Sequence, residues 1–247
     1  MNNNLQFPTE EVSLPSKGKF YPADSPLRKG VVEMKYMTAK EEDILTNLNY
    51  LQNGTAIEKL LKSLIVTKGV DTEDLLVGDK NALIIAARIL GYGSEYEFEY
   101  GGVMEKVDLS SIKEAPLHPA YEEATENRFS FTLPASGTQL EFKLLTGKDQ
   151  IAIQEEIKGL QKINNEDSPD NVVTFKHQIL SVDGDSTDKT IHNFANNFFL
   201  ARDARAFRKY VTEVQPDVDL TFYPENGPKG GVKIPIGIGF FWPDSEL

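Results

Sequence analysis

The sequence predicts an α+β protein of two lobes, each built from helices packed with antiparallel hairpins and preceded by an extended N-terminal arm. Three observations carry that expectation. Pro8, Pro15 and Pro22 fix φ and push the residues before them toward extended backbone, so the opening stretch cannot be helical. Two threonine-led capping boxes and three apolar stripes at helical spacing follow between Thr38 and Gly91. Alternating apolar and polar runs around Gly101-Gly102 and around Pro134-Ala-Ser-Gly137 read as hairpins. The expected boundaries are an arm at 1–27, a helical lobe with a strand and hairpin at 28–110, a linker at 111–127, and an α+β lobe with an apolar C-terminal segment at 128–247.

Taken in order, Gly18 supplies a turn within the arm, and Gly30 releases a strand in which Val32, Met34 and Tyr36 alternate with Val31, Glu33 and Lys35. Thr38-Ala-Lys-Glu41 is a capping box that starts a first helix running to about Asn53, with Ile44, Leu45, Leu48 and Leu51 as its stripe and Gly54 beyond its end. Thr55-Ala-Ile-Glu58 is a second such box, ahead of Ile57, Leu60, Leu61, Leu64 and Ile65. Asp79 is placed to cap a third helix that buries Leu83, Ile84, Ala87 and Leu90 and ends at Gly91. In the hairpin that follows, Tyr100 should face Val103, Phe98 should face Glu105, Tyr96 should face Val107 and Glu97 should face Lys106.

Pro116-Leu-His-Pro119 marks the linker. Phe129–Leu133 and Leu140–Leu144 form the second hairpin, and Thr146 with Asp149 opens a helix with Ile153, Ile157 and Leu160 inward. The stretch 172–182 fits either helix or strand. Thr187–Leu200 reads as one helix with Ile191, Phe194, Ala195 and Phe198 on one side, and Asp203–Val214 as another with Phe207, Tyr210, Val211 and Val214. Val218–Tyr223 alternates like a strand. The apolar run Val232–Trp242 either closes the second lobe as a hairpin or docks on a neighbouring protein; Pro235 argues against a central strand.

Composition narrows the function. The 247 residues are 40% hydrophobic, enough for a core, and hold no apolar run long enough to span a bilayer. The first eight residues lack the basic and apolar regions of a signal peptide. A net charge of −12 opposes binding to phosphate backbones, and Arg202–Lys209 is the densest basic stretch set against it. The acidity suits a solvated surface or contact with basic faces of other proteins. With no cysteine there is no disulfide, thiolate metal site or cysteine nucleophile. His118, His177 and His192 show no helical zinc spacing, Gly147-Lys148 is not part of a phosphate loop, and the Glu95, Glu97, Glu99 row has the period of a solvated strand face. Ser181–Asp188 is a polar turn ahead of a helix, since a calcium loop from Asp183 would end at Phe194 where a glutamate is needed. The expectation is a non-enzyme with no catalytic residue, no cofactor and no metal.

Leu14-Pro-Ser-Lys-Gly-Lys-Phe-Tyr-Pro22, then Gly30-Val-Val-Glu-Met-Lys-Tyr-Met-Thr-Ala-Lys-Glu-Glu-Asp-Ile-Leu45, then Leu75-Leu-Val-Gly-Asp79 ahead of a helix, resemble the T4-like bacteriophage baseplate protein family. These are proteins of the baseplate hub and its assembly in contractile-tailed phages. Leu144-Leu-Thr-Gly-Lys-Asp149 and the segment from Ile234-Pro235 to Phe240-Phe-Trp-Pro243 are similar as well. The resemblance covers most of the chain, is strongest from Leu14 to Gly93, and lies in the order of the motifs. Several relatives carry a Cys-x-x-Cys pair, half of a zinc ribbon, in the hairpin after the third helix; here Glu95–Val107 has no cysteine, so no metal carries over. The resemblance implies a virion protein of the tail baseplate, assembled in the host cytoplasm, whose partners are other hub proteins, with a possible homo-oligomer and neither nucleic acid nor membrane.

The expected function is a structural component of the hub that acts by protein–protein binding. A transient assembly chaperone absent from the finished virion is the alternative, and a metal-dependent hydrolase of cell wall the second. Phe7, Leu14, Phe20, Tyr21, Phe240, Phe241 and Trp242 are the expected partner-binding residues, with the arm as the main element and Phe20 and Tyr21 as its anchors. The competing reading of Phe20 and Tyr21 is that they cover the chain's own first lobe.

Overall fold

The computed structural model describes residues 8–163, 170–224, 228, 230–236 and 238–241. Helices are mixed with antiparallel sheets, so the fold is α+β, as the sequence predicts. The chain gathers into two compact units, neither of them a single continuous segment. The first holds the described residues up to Thr72, Gly78–Ala115 and those from Asp217 onward; the second holds Glu73–Val77 and Pro116–Pro216. The expected divisions at 27, 110 and 127 are therefore replaced by a nested arrangement.

In the first unit, β1 (Thr9–Ser13) pairs antiparallel with β2 (Val31–Lys35), Val12 opposite Val32. The alternation in β2 turns Val32 and Met34 into the core. From Thr9 onward the expected arm is thus a strand and the loop that returns from it. α1 (Ala39–Thr46) starts where the Glu41 carboxylate accepts from the N–H of Thr38 at 3.0 Å. The single helix expected to Asn53 is broken at Asn47, whose Oδ1 accepts from the N–H of Asn49 and Tyr50 and so starts α2 (Leu48–Asn53). That break leaves Leu48 exposed instead of on an apolar stripe. α3 (Ala56–Leu64) buries Leu60, Leu61 and Leu64, but its capping box does not form: Glu58 bonds the Thr72 hydroxyl and pairs with Lys80. α4 (Val77–Tyr92) buries Leu83, Ile84, Ala87 and Leu90 as predicted. β3 (Glu95–Tyr100) and β4 (Val103–Asp108) pair in the predicted register, and Glu97 meets Lys106 at 2.5 Å.

The second unit opens where a linker is expected. α5 (Pro119–Glu123) is a turn of helix started by His118, whose Nδ1 accepts from the N–H of Ala120 at 3.1 Å. Its Tyr121 is buried and stacked on Phe129, so the segment is folded because it has an aromatic to bury. β5 (Phe129–Thr132) and β6 (Gln139–Phe142) form the predicted hairpin. In the first turn of α6 (Gly147–Ile163) Asp149 accepts from the N–H of Thr146, and the helix buries Ile153. The ambiguous stretch divides into α7 (Asp170–Gln178) and β7 (Ile179–Val182), and β7 completes the sheet in the order β5-β6-β7 with a register shift at Glu141/Phe142. α8 (Asp188–Asn193) runs into a π-helical turn over Phe194–Phe198, followed by α9 (Ala201–Val214). Rings form the core: Phe142 lies edge-on to Phe207 at 5.2 Å and Phe131 stacks on Tyr210 at 4.5 Å.

The chain then returns to the first unit. Asp217 accepts from the N–H of Ala115 at 2.8 Å, and the N–H of Asp219 donates to Lys113 at 2.7 Å, so the outgoing and incoming strands lie antiparallel. The Asn81 amide bonds both carboxylate oxygens of Asp217 at 3.0–3.1 Å. β8 (Thr221–Phe222) and β9 (Val232–Lys233) make a short hairpin, and Ile234, Phe240 and Phe241 are buried. The apolar tail belongs to the core of the first unit, in place of either expected role.

Candidate interaction surfaces

The loop from Leu14 to Gly30 is held by one buried carboxylate. Asp79, in the first turn of α4, accepts from the N–H of Ser16 at 2.9 Å, from its hydroxyl at 2.6 Å and from the hydroxyl of Tyr21 at 2.5 Å. The side chain expected to cap a helix instead gathers the Pro-Ser-Lys-Gly-Lys-Phe-Tyr segment. Burial pushes the Asp79 carboxyl above its ordinary range, against the pull of these three bonds. Backbone approach completes the loop: Gly18 has φ +75°, and a Cβ there would lie 2.4 Å from the carbonyl oxygen of Arg28.

These bonds decide the fate of the predicted binding residues. Leu14 is 0% exposed and Tyr21 6% exposed in the isolated chain, so both are core and cannot serve as free anchors. Phe20 is half-buried, with the Lys19 ammonium 5.7 Å from its ring centre. Phe240 and Phe241 are equally enclosed. Phe240 lies edge-on to Tyr96 at 4.7 Å, and its carbonyl accepts from Arg88 Nε at 3.1 Å. Arg88 is itself buried and donates also to the carbonyls of Gly93 at 2.9 Å and Glu95 at 3.1 Å. Phe7 and Trp242 lie outside the described residues.

Among the described residues, two surfaces set exposed apolar groups beside a concentration of charge. The tip of the β3–β4 hairpin exposes Val103 at 60% and Met104 at 55%, with Tyr100 beside Val103 across the turn. Its strands carry Glu95, Glu97, Glu99, Glu105 and Asp108 against Lys106, a formal charge of −4. The second surface is the corner between α8 and α9, where Phe198 is 60% and Leu200 51% exposed. Arg202, Arg205, Arg208 and Lys209 are exposed on the α9 helix that follows. Over α8 and α9 five cations stand against Asp188, Asp203 and Glu213, a formal charge of +2, and Glu213 lies 3.6 Å from Lys209. Asp203 is buried: its carboxylate accepts from the N–H of Ala135 at 2.8 Å and of Ser136 at 3.0 Å. Burial alone would raise its pKa; those amides outweigh it and lower the value.

A periodic reading misses Phe198 for a structural reason. In the π turn the N–H of Phe199 donates to the carbonyl of Phe194 at 3.0 Å, five residues back, so one extra residue enters the turn. Phe199 takes the inward position, with its ring 4.7 Å from that of Phe175 and 5.0 Å from that of Phe194, and Phe198 is rotated out. The paired phenylalanines in Phe198-Phe199 are the signal in the sequence that two phases compete there.

The remaining polar clusters serve the fold. Glu41 accepts from Lys35 at 2.8 Å and from Ser63 at 2.6 Å, and His177 Nε2 lies 2.9 Å from Glu156. Asp183 accepts from the N–H of Gln139 and Asp185 from that of Thr187, and of the expected Ser181–Asp188 turn the part between β7 and α8, Asp183 to Thr187, is the polar turn. Among the described residues no group of three or more His, Asp or Glu side chains is placed to hold a metal ion. No described helix is long and apolar enough to cross a membrane. No protein-family model, curated protein or solved structure matches the chain.

Proposed function

We propose that this chain is a structural, non-catalytic component of the tail baseplate hub of a contractile-tailed phage, acting by binding other hub proteins during or after assembly. The order of its motifs, from Leu14–Pro22 through Leu75–Asp79 to Leu144–Asp149, is the observation that carries the reading. The buried carboxylates are consistent with it, because Glu41, Asp79 and Asp203 each spend their oxygens on hydrogen bonds that join segments of the chain. The exposed apolar groups flanked by charge, at the hairpin tip and at the α8–α9 corner, are the surfaces offered to partners. The location that follows is the virion, after assembly in the host cytoplasm.

Quantitative mass spectrometry of purified particles tests this. Several copies per particle are expected. Absence from particles combined with presence in hub assembly intermediates would replace the structural role by that of a transient chaperone. Lysis of peptidoglycan by the purified protein would overturn both.

A further inference from the structure

The two exposed surfaces are opposites. The hairpin tip offers Tyr100, Val103 and Met104 among carboxylates; the α8–α9 corner offers Phe198 and Leu200 beside arginines. Their formal charges, −4 and +2, are of opposite sign. Aromatic, Met and Arg side chains are those enriched at the centre of protein interfaces, and opposite potentials steer such surfaces together. In a chain of net charge −12, like-charge repulsion between copies makes a basic face the place where a second copy can approach.

We propose that the β3–β4 hairpin of one copy docks along the exposed face of α9 in a second copy of this chain. Met104 packs against Phe198 and Leu200, and Glu99, opposite it on the same face of the hairpin, lies against Arg202 and Arg205. The contact is heterologous, since the surface given and the surface received are different. A pair then keeps one free hairpin, on one copy, and one free α9 face, on the other, so addition continues into a ring or an open chain. The inference draws on these two surfaces alone and holds whether or not the protein belongs to a phage hub.

Sedimentation velocity of the full chain over a concentration series tests it, at low and at high salt. The wild-type chain should associate beyond a dimer at low salt and dissociate as salt screens the charges. Two variants separate the sides: Glu99→Gln/Met104→Ser disables the hairpin, and Phe198→Ser/Arg205→Gln disables the α9 face. Both pairs are on the surface, so melting temperatures should stay near that of the wild type. Each variant alone should weaken self-association at least about tenfold. An equimolar mixture should form a dimer of one copy of each and nothing larger, because only one intact hairpin–α9 contact remains. A wild-type chain that stays monomeric at low salt overturns the proposal, as does self-association that either variant leaves unchanged, or a mixture that forms no dimer. Binding of a polyanion such as heparin by an otherwise monomeric chain overturns it too, in favour of an acidic partner for the α9 face.

Discussion

The first unit joins its most distant segments with buried polar groups, whereas the core of the second is dominated by aromatic rings, with buried Asp203 joining α9 to the turn at Ala135 and Ser136. In the first, Asp79 ties Ser16 and Tyr21 to α4, and Arg88 ties α4 to the carbonyl of Phe240. In the second, Phe142, Phe175, Phe199 and Phe207 pack on one another, all from a nearly continuous stretch of chain. Apolar contact is non-directional, and here it joins residues as far apart in sequence as Phe142 and Phe207. A hydrogen-bonded carboxylate or guanidinium accepts few arrangements, because leaving it unsatisfied in the interior is expensive. The first unit uses such groups where segments up to 152 residues apart must meet.

The largest expected effect comes from deleting residues 1–27. Leu14, Tyr21 and Leu27 are buried, and each contributes roughly 1.5–3 kcal/mol, before the donors to Asp79 are counted. That total is comparable with the whole stability of a typical domain, about 5–15 kcal/mol. Hydrogen exchange should show α3 and α4 losing protection. Retained protection there would mean that the loop is dispensable and that the contrast between the units is overdrawn.

Phe207→Ala probes the other side of the contrast. The ring is 0% exposed among four aromatic neighbours, Phe131, Phe142, Phe175 and Phe199. A loss of roughly 3–5 kcal/mol is expected in urea denaturation. Amides of α6, α7 and β7 should exchange faster, with those of α3 and α4 little changed; equal loss in both sets would show that the cores do not stand separately.

Glu41 and Asp79 sharpen the comparison through pH. Burial raises the Glu41 pKa, but the bonds from Lys35, Ser63 and Thr38 outweigh it and hold the value at about 2, below the ordinary 4.5. The folded state therefore favours the charged form. Its stabilisation, roughly 3 kcal/mol, is full above about pH 4.5 and is lost as pH falls toward 2. Asp79 has the opposite sign: its raised pKa makes the protonated form the stabilised one, and that gain fades as pH rises through the folded value. Glu41→Gln should cost about 3 kcal/mol at neutral pH and flatten the acid decline. An unchanged slope in denaturation below pH 4.5 would assign that decline to other carboxylates.

How far the sequence could be read follows from the same contrast. Local signals were reliable where both partners lie nearby: the register of Glu95–Asp108, the Phe129–Phe142 hairpin and the opening of α6 by Thr146 with Asp149 are as the pattern predicts. Signals failed where the deciding partner is distant. Pro15, Phe20 and Tyr21 look like an unsupported arm until Asp79 is placed beside them. Nothing local marks Ile234 and Phe240 as completing a core begun more than two hundred residues earlier. Asn47 shows a third kind of failure: a polar side chain with two competing roles, helix interior or cap, took the cap. The exposed surfaces fell between these cases, with the basic stretch Arg202–Lys209 evident in the sequence and its apolar neighbours hidden by the π turn.

The smallest expected effect tests that turn. If the helix from Thr187 kept one phase throughout, Phe198 would join Ile191 and Phe194 on the buried side, and Phe198→Ala would cost as much as a core truncation. The extra residue in the turn instead leaves Phe198 60% exposed and gives the inward place to Phe199. Phe198→Ala should then change stability by no more than about 0.5 kcal/mol, as for an ordinary surface site. Phe199→Ala should lose several times more, since its ring touches Phe175, Phe194 and Phe207. Urea denaturation of the two variants in parallel decides between the phases. Equal losses would mean that the turn interconverts between them, and a larger loss at Phe198 would restore the continuous helix and remove the apolar part of the α8–α9 surface.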